Sequence, residues 1–199
     1  MNIKEIRITR NQQSYRIIDI AQARLKIIYW FFSFPNSEIS LNELAQKIGI
    51  AKAGASLIVG QLEKEGFLKK QVLGKIWRIT CNTSHPYNSI MKIPFNLSLV
   101  YQSGVLNKIR EFYPGARAVI LFGSYRKGDD NEKSDIDIAV EIIGDKQPEI
   151  KRFGTIEELG YRKKVVVNLY VFSREKTDLN LFSNIANGIV LSGFLEARP

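Results

Sequence analysis

Three stretches in the first half of the chain repeat one spacing of apolar positions. They are Leu25, Ile28, Tyr29, Phe32; then Leu41, Leu44, Ala45, Ile48; then Ala55, Ile58, Val59, Leu62. At 3.6 residues per turn each set falls on one face, which predicts three amphipathic α-helices. Pro35-Asn36 ends the first. Ser40 and Glu43 have the spacing of a capping box for the second, and Gly49 supplies its C-cap. So few residues separate helices two and three that the pair must turn sharply, the geometry of a helix-turn-helix. After Gly66 the period falls to two. Phe67–Val72 and Lys75–Thr80 flank Leu73-Gly74, predicting a β-hairpin.

The pattern changes again further on. Residues 81–89 are polar, contain Pro86 and lack periodicity, so they read as the exit from a first module. Residues 90–104 form a connector punctuated by Pro94. Val105–Tyr113 is helical in character and stops at Pro114-Gly115. Ala116–Phe122 is a strand whose second part is uniformly apolar, as in a strand buried on both faces. Asp135–Val140 is a further strand. The division expected is 1–92, with a core at 19–80, and 93–199. Met1–Ile18, polar, basic and with several β-branched residues, fits either a strand added to the hairpin or a dimerisation arm.

Composition changes this picture in one respect. At 199 residues, 45% hydrophobic and 25% charged, the chain has the make-up of an ordinary globular protein of one medium or two small domains. It has no apolar run long enough for a transmembrane helix, and its first residues lack the apolar core of a signal peptide. Cys81 is the sole cysteine, so no internal disulfide forms. These features lead to an expected cytoplasmic location without membrane attachment. Cys81 and His85 lie four apart, but no second His or Cys exists to complete a metal site. The net charge of +9 is unevenly shared. Residues 1–92 hold 14 Lys/Arg against 6 Asp/Glu, or +8, while residues 93–199 hold 15 against 14, or +1. Clustered cations reward contact with a polyanion, so the first half alone is expected to meet one.

Helix, helix, helix and basic hairpin is the order of a winged helix-turn-helix, which residues 19–80 resemble, including the stretch Gln61–Leu68. The resemblance implies double-stranded DNA as partner, with helix three in the major groove. Lys52 and Ser56 face the groove opposite the apolar stripe, and Lys69, Lys70, Lys75 and Arg78 meet phosphates. Ala51, Ala53 and Gly54 leave helix three few groups for reading base edges, so modest sequence specificity is expected. Such modules also serve protein contacts, and a homodimer is the common arrangement of a DNA-binding one.

The chemistry lies in the second half. The strand Ala116–Phe122 runs into Gly123-Ser124, where a glycine lets backbone amides approach an anion and a hydroxyl adds a donor. Arg126 and Lys127 follow. After Ser124 and ten intervening residues comes Asp135-Ile136-Asp137. Residues i and i+2 of a strand project from one face, so both carboxylates point the same way, an arrangement most useful around a divalent cation. The run Leu121–Glu141 resembles the signature of the DNA polymerase β-like nucleotidyltransferases, in particular the minimal nucleotidyltransferase (MNT) group. The likeness extends over about 105–195 and includes the closing Asn184–Gly193.

The expected whole is thus an α+β winged helix-turn-helix followed by an α/β nucleotidyltransferase fold, a mixed sheet with flanking helices. The second resemblance implies nucleotide binding by Gly123, Ser124, Arg126 and Lys127, with Asp135 and Asp137 as catalytic and metal-binding residues. Mg²⁺ in a two-metal arrangement and an NTP substrate, ATP foremost, are expected with them. An acceptor hydroxyl then attacks the α-phosphorus and expels pyrophosphate. With no His near, general-base duty falls to a carboxylate. The acceptor could be a protein, since MNT proteins are often antitoxins that modify or cap a HEPN-type toxin.

One departure stands out. Relatives carry a third carboxylate in a Val-Asp-Leu-type segment, and the corresponding segment here, Val165–Phe172, has Asn168 at that place. An amide oxygen still ligates a metal weakly but takes no proton at neutral pH. Activity is therefore expected to be weak or absent unless Glu141, Glu157 or Glu158 substitutes. Three function classes follow: a nucleotidyltransferase, a nucleotide-sensing DNA-binding regulator without turnover, and a purely structural interaction module.

Overall fold

The computed structural model describes residues 6–8 and 23–196, apart from residues 75 and 146. Its contacts separate two compact units, one of residues 16–95 and one combining residues 1–15 with 96–199. Among the described residues no helix is long and apolar enough to cross a membrane. The first strand, β1 (Ile6–Ile8), belongs to the second unit.

The unit of residues 16–95 contains α1 (Ala23–Ser33), β2 (Glu38–Ile39), α2 (Leu41–Ile48), α3 (Lys52–Lys64), β3 (Leu68–Leu73), β4 (Ile76–Cys81) and the short α4 (Tyr87–Ile90). The expected local signals operate as written. Ser40 Oγ accepts from the Glu43 amide at 3.3 Å, and the Glu43 carboxylate accepts from the Ser40 amide at 3.1 Å. Gly49 closes α2 in the left-handed conformation, φ +67°. The stripe of α2 is buried as predicted, at Leu41, Leu44, Ala45 and Ile48. In α1 burial goes further: Ile27, Trp30 and Phe31 are buried along with Ile28, Tyr29 and Phe32, so the second half of that helix is enclosed on all sides. The hairpin forms around Gly74 with Leu73 opposite Ile76. A strand that periodicity does not reveal, β2, pairs with β4 and completes a three-stranded sheet in the order β2-β4-β3. Two residues are too few to display a period of two.

Helix α5 (Lys92–Gln102) carries the chain from one unit to the next. Pro94 sits in its first turn, where the missing amide proton would have had no helical partner, so proline opens this helix rather than breaking it.

The second unit has α6 (Val105–Phe112), β5 (Ala116–Phe122), α7 (Gly123–Lys127), β6 (Ile136–Ile142), β7 (Glu149–Leu159), β8 (Arg162–Phe172), α8 (Leu179–Ala186) and β9 (Ile189–Gly193). Its mixed sheet has the order β1-β7-β8-β6-β5-β9. The pairs β1·β7 and β8·β6 are parallel, and the rest antiparallel. The backbone of Ile6–Ile8 thus extends this sheet beside Gly154–Ile156 and not the hairpin, and the rest of Met1–Ile18 lies outside the described residues. Ile136, Ile138 and Val140 with Val165, Val167, Leu169 and Val171 face the core shared with Val100 of α5 and Val105, Leu106 and Ile109 of α6. On the opposite face, Ile120, Phe122, Ala139 and Phe172 pack with Ile185 of α8. The buried residues of this second cluster come from β5, β6, β8 and α8, and Asp137 lies on the same face of β6 as Ala139.

Candidate functional site

The site forms where three neighbouring strands meet. Phe122, the last residue of β5, pairs with Asp137 of β6, which in turn pairs with Asn168 of β8. Immediately after Phe122 the chain turns at Gly123 (φ +70°) into α7. Two constraints demand glycine there. The left-handed backbone disfavours any side chain, and a Cβ would lie 2.6 Å from Asp137 Oδ2. The Gly-Ser turn and the second aspartate are therefore packed directly on each other. Ser124 is half-buried in α7, and its carbonyl accepts from the Gly128 amide at 2.9 Å to close that helix.

The loop from Gly128 to Ser134 holds the sequence spacing between the two motifs. Asp130 is 3% exposed, and its carboxylate accepts from Asn96 Nδ2 at 2.6 Å. The same amide donates to the Tyr125 carbonyl at 3.0 Å. From β8, the Arg162 guanidinium donates to the carbonyls of Glu132 (3.1 Å) and Ser134 (2.7 Å) and to the Tyr125 hydroxyl. Burial pushes the Tyr125 phenol well up from its ordinary value of 10.0, so it stays protonated. Asn131 Oδ1 caps the Lys133 amide, and Ser134 Oγ accepts from the Asn131 amide. The seven residues of this loop are thus a fastened strap, which fixes Asp135 relative to Ser124.

Asp135 and Asp137 share the half-buried site with Asn168. The Asn168 amide nitrogen donates to Asp135 Oδ2 and to Asp137 Oδ1, each at 3.3 Å. Burial raises the Asp137 carboxyl above its ordinary value of 3.8; the Asn168 hydrogen bond opposes this and the Asp135 charge adds to it. Among the described residues no third His, Cys, Asp or Glu joins the pair as a metal-binding group.

The substitutes proposed for the missing acid are elsewhere. Glu141 shares the face of Asp137 but lies four residues along β6, about 13 Å at the rise of a strand. It is 1% exposed and bound to Arg174 Nη2 at 3.0 Å. Glu157 and Glu158 are on β7, but the β7 residue opposite Asn168 is Arg152. The two glutamates are five and six positions further on, roughly 17–20 Å away.

Arg152 is one of two residues that sequence reasoning passed over. An irregularity in β7 between Arg152 and Gly154 sets it opposite Asn168, where paired residues share a face, and its Nη2 donates to Thr155 Oγ1 at 3.1 Å. The other is Tyr170, two residues beyond Asn168, which meets the Phe122 ring edge to face at 4.8 Å. Burial and the Asp137 charge together raise its phenol. Neither has a sequence signal, because both reach the site across strands. Arg126 and Lys127 lie in the last turn of α7, half-buried and exposed respectively, and neither bonds to Asp135 or Asp137.

In the other unit the predicted polyanion-facing residues divide into two sets. Lys52 and Ser56 stand at the start of α3 and line a groove of about 990 Å³ with Asn42, Glu43 and Trp77. Lys69 is exposed on β3. Lys70, by contrast, pairs with Glu63 at 2.6 Å and lies over the Trp77 ring at 4.6 Å. Arg78 pairs with Glu38 at 2.7 Å. Lys75 lies outside the described residues. The Cys81–His85 pair serves structure: His85 Nδ1 accepts from the Tyr87 amide at 3.2 Å, which leaves Nε2 as donor to the Glu65 carbonyl at 3.1 Å. Burial pushes the Cys81 thiol up to about 11, so it does not ionise at neutral pH.

A strand ending in Gly-Ser, a fastened loop and a carboxylate pair on the adjacent strand thus come together on one mixed sheet. Residues 103–191 match the family model described as the nucleotidyltransferase domain, which supports the nucleotidyltransferase superfamily for that stretch. The matched residues run from the turn before α6 into β9 and include every residue of the site. No curated protein matches the chain.

Proposed function

We propose that the second unit binds a nucleoside triphosphate with a divalent cation and transfers the nucleoside monophosphate to a hydroxyl acceptor. The observation that carries this reading is the packing of Asp137 on Gly123, which joins the anion-cradling turn to the carboxylate pair. The donor set suits a hard cation: two carboxylates, oxygen ligands of the kind Mg²⁺ takes. When bound, that cation would neutralise charge developing on the phosphates. The protein's own part is positional. Gly123 admits the phosphates close to backbone amides, Ser124 offers a hydroxyl donor, and Arg126 and Lys127 add positive charge nearby. The strap from Gly128 to Ser134 keeps these groups in register with the carboxylates. ATP is the expected nucleotide, and a hydroxyl of a partner protein the expected acceptor, on the resemblance to the MNT group.

For residues 16–95 we propose a winged helix-turn-helix that binds duplex DNA through α3 and the β3–β4 hairpin. The +8 charge of residues 1–92 and the exposed Lys52 and Lys69 support it. A second reading, a nucleotide-sensing regulator with little turnover, is favoured by Asn168 at the third ligand position.

The test is incubation of the full chain with labelled ATP or CTP and Mg²⁺, following label transfer and pyrophosphate, with Asp135→Ala and Asp137→Ala as controls. Transfer that survives both substitutions would sink the assignment of the site. Nucleotide binding without pyrophosphate, coupled to a change in DNA affinity, selects the regulator. Absence of duplex binding at low salt removes the DNA-binding reading.

A further inference from the structure

We propose that Asn168 makes this a one-cation site, able to hold a nucleotide with its own cation but not a second cation on the acceptor side. The inference rests on the nucleotide-binding reading above. Its basis is what surrounds the two carboxylates. One side-chain NH₂ reaches both acids, at 3.3 Å from Asp135 Oδ2 and 3.3 Å from Asp137 Oδ1. The amide thus supplies the positive end of a dipole between two like charges. Asn168 lies directly beside Asp137 in the β6–β8 ladder, so no other residue of β8 can take its place without a change of register.

The charge balance points the same way. Two carboxylates match one divalent cation. A second cation would need a further anionic ligand, and none joins the pair among the described residues. Glu141 is committed to Arg174, and the strand position beyond Asn168 holds the cationic Arg152. The phosphates are expected over Gly123-Ser124, on the β5 side of the carboxylates. An in-line attack on the α-phosphorus needs the acceptor opposite the departing pyrophosphate, away from that turn. A cation activating the acceptor hydroxyl would therefore have to be held from the Asn168 and Arg152 side, where the protein offers an amide and a guanidinium. Cation-dependent nucleotide binding is retained, and what the site lacks is a second cation to activate the acceptor, so transfer is slow.

The experiment counts cations. Mn²⁺ bound to the full-length protein is titrated by electron paramagnetic resonance with a saturating α,β-methylene analogue of ATP, which cannot be cleaved at the reacting bond. The expected result is about one Mn²⁺ per chain in the wild type and about two in Asn168→Asp, whose rate of transfer from ATP rises roughly tenfold or more. About two in the wild type, or a count still near one in a folded Asn168→Asp, overturns the proposal. If Asn168→Asp does not fold, the wild-type count decides alone. A wild type that binds neither analogue nor Mn²⁺ overturns the nucleotide reading as well, which separates that failure from an excess of bound metal.

Discussion

Strand β6 carries acids at both ends of one face, and the protein treats them in opposite ways. Glu141 is enclosed, and Arg174 Nη2 meets it at 3.0 Å. Arg174 in turn reaches Glu196 through Nη1 at 3.0 Å, and Arg117 reaches the same Glu196 oxygen at 2.7 Å. That end is a chain of alternating charges. Asp137, four residues away, has a half-buried carboxylate beside a second carboxylate, and its neighbour is a neutral amide. An acid neutralised by the protein's own cation is structural, since a ligand would first have to displace that partner. A pair of acids given only dipoles is costly to the folded chain and has a use when a ligand brings the charge. The same distinction sorts the lysines and arginines of the other unit, where Lys70 and Arg78 are bound to Glu63 and Glu38 while Lys52 and Lys69 meet no acid among the described residues.

The largest expected effect breaks the Asp end. Asp135→Ala or Asp137→Ala lowers affinity for a nucleotide–Mn²⁺ complex by more than about 100-fold in a calorimetric titration, since loss of a supporting partner alone costs about 10–100-fold at metal sites. Melting points near wild type are expected for both. The Glu end answers in the other currency: Arg174→Ala leaves Glu141 buried without its cation and destabilises the fold by about 3–5 kcal/mol in denaturant unfolding. Nucleotide binding by the folded fraction is retained. Weakened nucleotide affinity equal to that of the aspartate variants would erase the distinction.

Gly123→Ala joins both kinds of effect. A left-handed alanine costs about 1–2 kcal/mol, and its Cβ would press on Asp137 Oδ2, so both stability and cation affinity fall. Unchanged cation affinity would show that the contact does not matter. For the basic unit, charge reversal at Lys52 or Lys69 should weaken duplex binding and reduce the salt slope by about one. Reversal at Lys70 or Arg78 should do less, because their charge is already engaged; filter binding over a salt series would show the order.

The smallest expected effect has a sign fixed by burial. The Asp137 carboxyl is raised above 3.8 in the folded protein, so the folded state holds its proton more tightly than the unfolded chain does. Its contribution to stability is complete below that ordinary value and lost as pH rises through the raised one. At pH 7 the ionised group therefore costs stability. Asp137→Asn should raise the melting midpoint by about 1–3 °C at neutral pH and by less in acid. Cation affinity of the wild type should fall as pH drops from neutral into the same range. A melting gain independent of pH would refute the assignment to Asp137.

How much of this could be read beforehand varied with the range of the forces involved. The capping box of α2, the glycine that closes it and the strand running into Gly123-Ser124 are local, and the chain writes them in adjacent letters. The three-helix order was legible because each apolar stripe recurs at helical spacing, although the stripe of α1 understates burial that its neighbours impose. β2 was not legible, being two residues whose strand character comes wholly from pairing with β4. The placement of Ile6–Ile8 was not legible either, because its partner is about 150 residues away, at Gly154–Ile156.

By itself the sequence determined the Gly-Ser turn, the aspartate pair and the interval between them, because close spacing along one strand fixes which side chains share a face. It also marked Asn168 as the residue where an acid was expected. Only the tertiary structure decided that Asn168 touches both aspartates, that Arg152 stands beyond it, and that Glu141, Glu157 and Glu158 do not replace the acid. The reason is physical: position along a strand is inherited from the chain, but which strands lie side by side, and in what register, is set by the burial of the whole sheet.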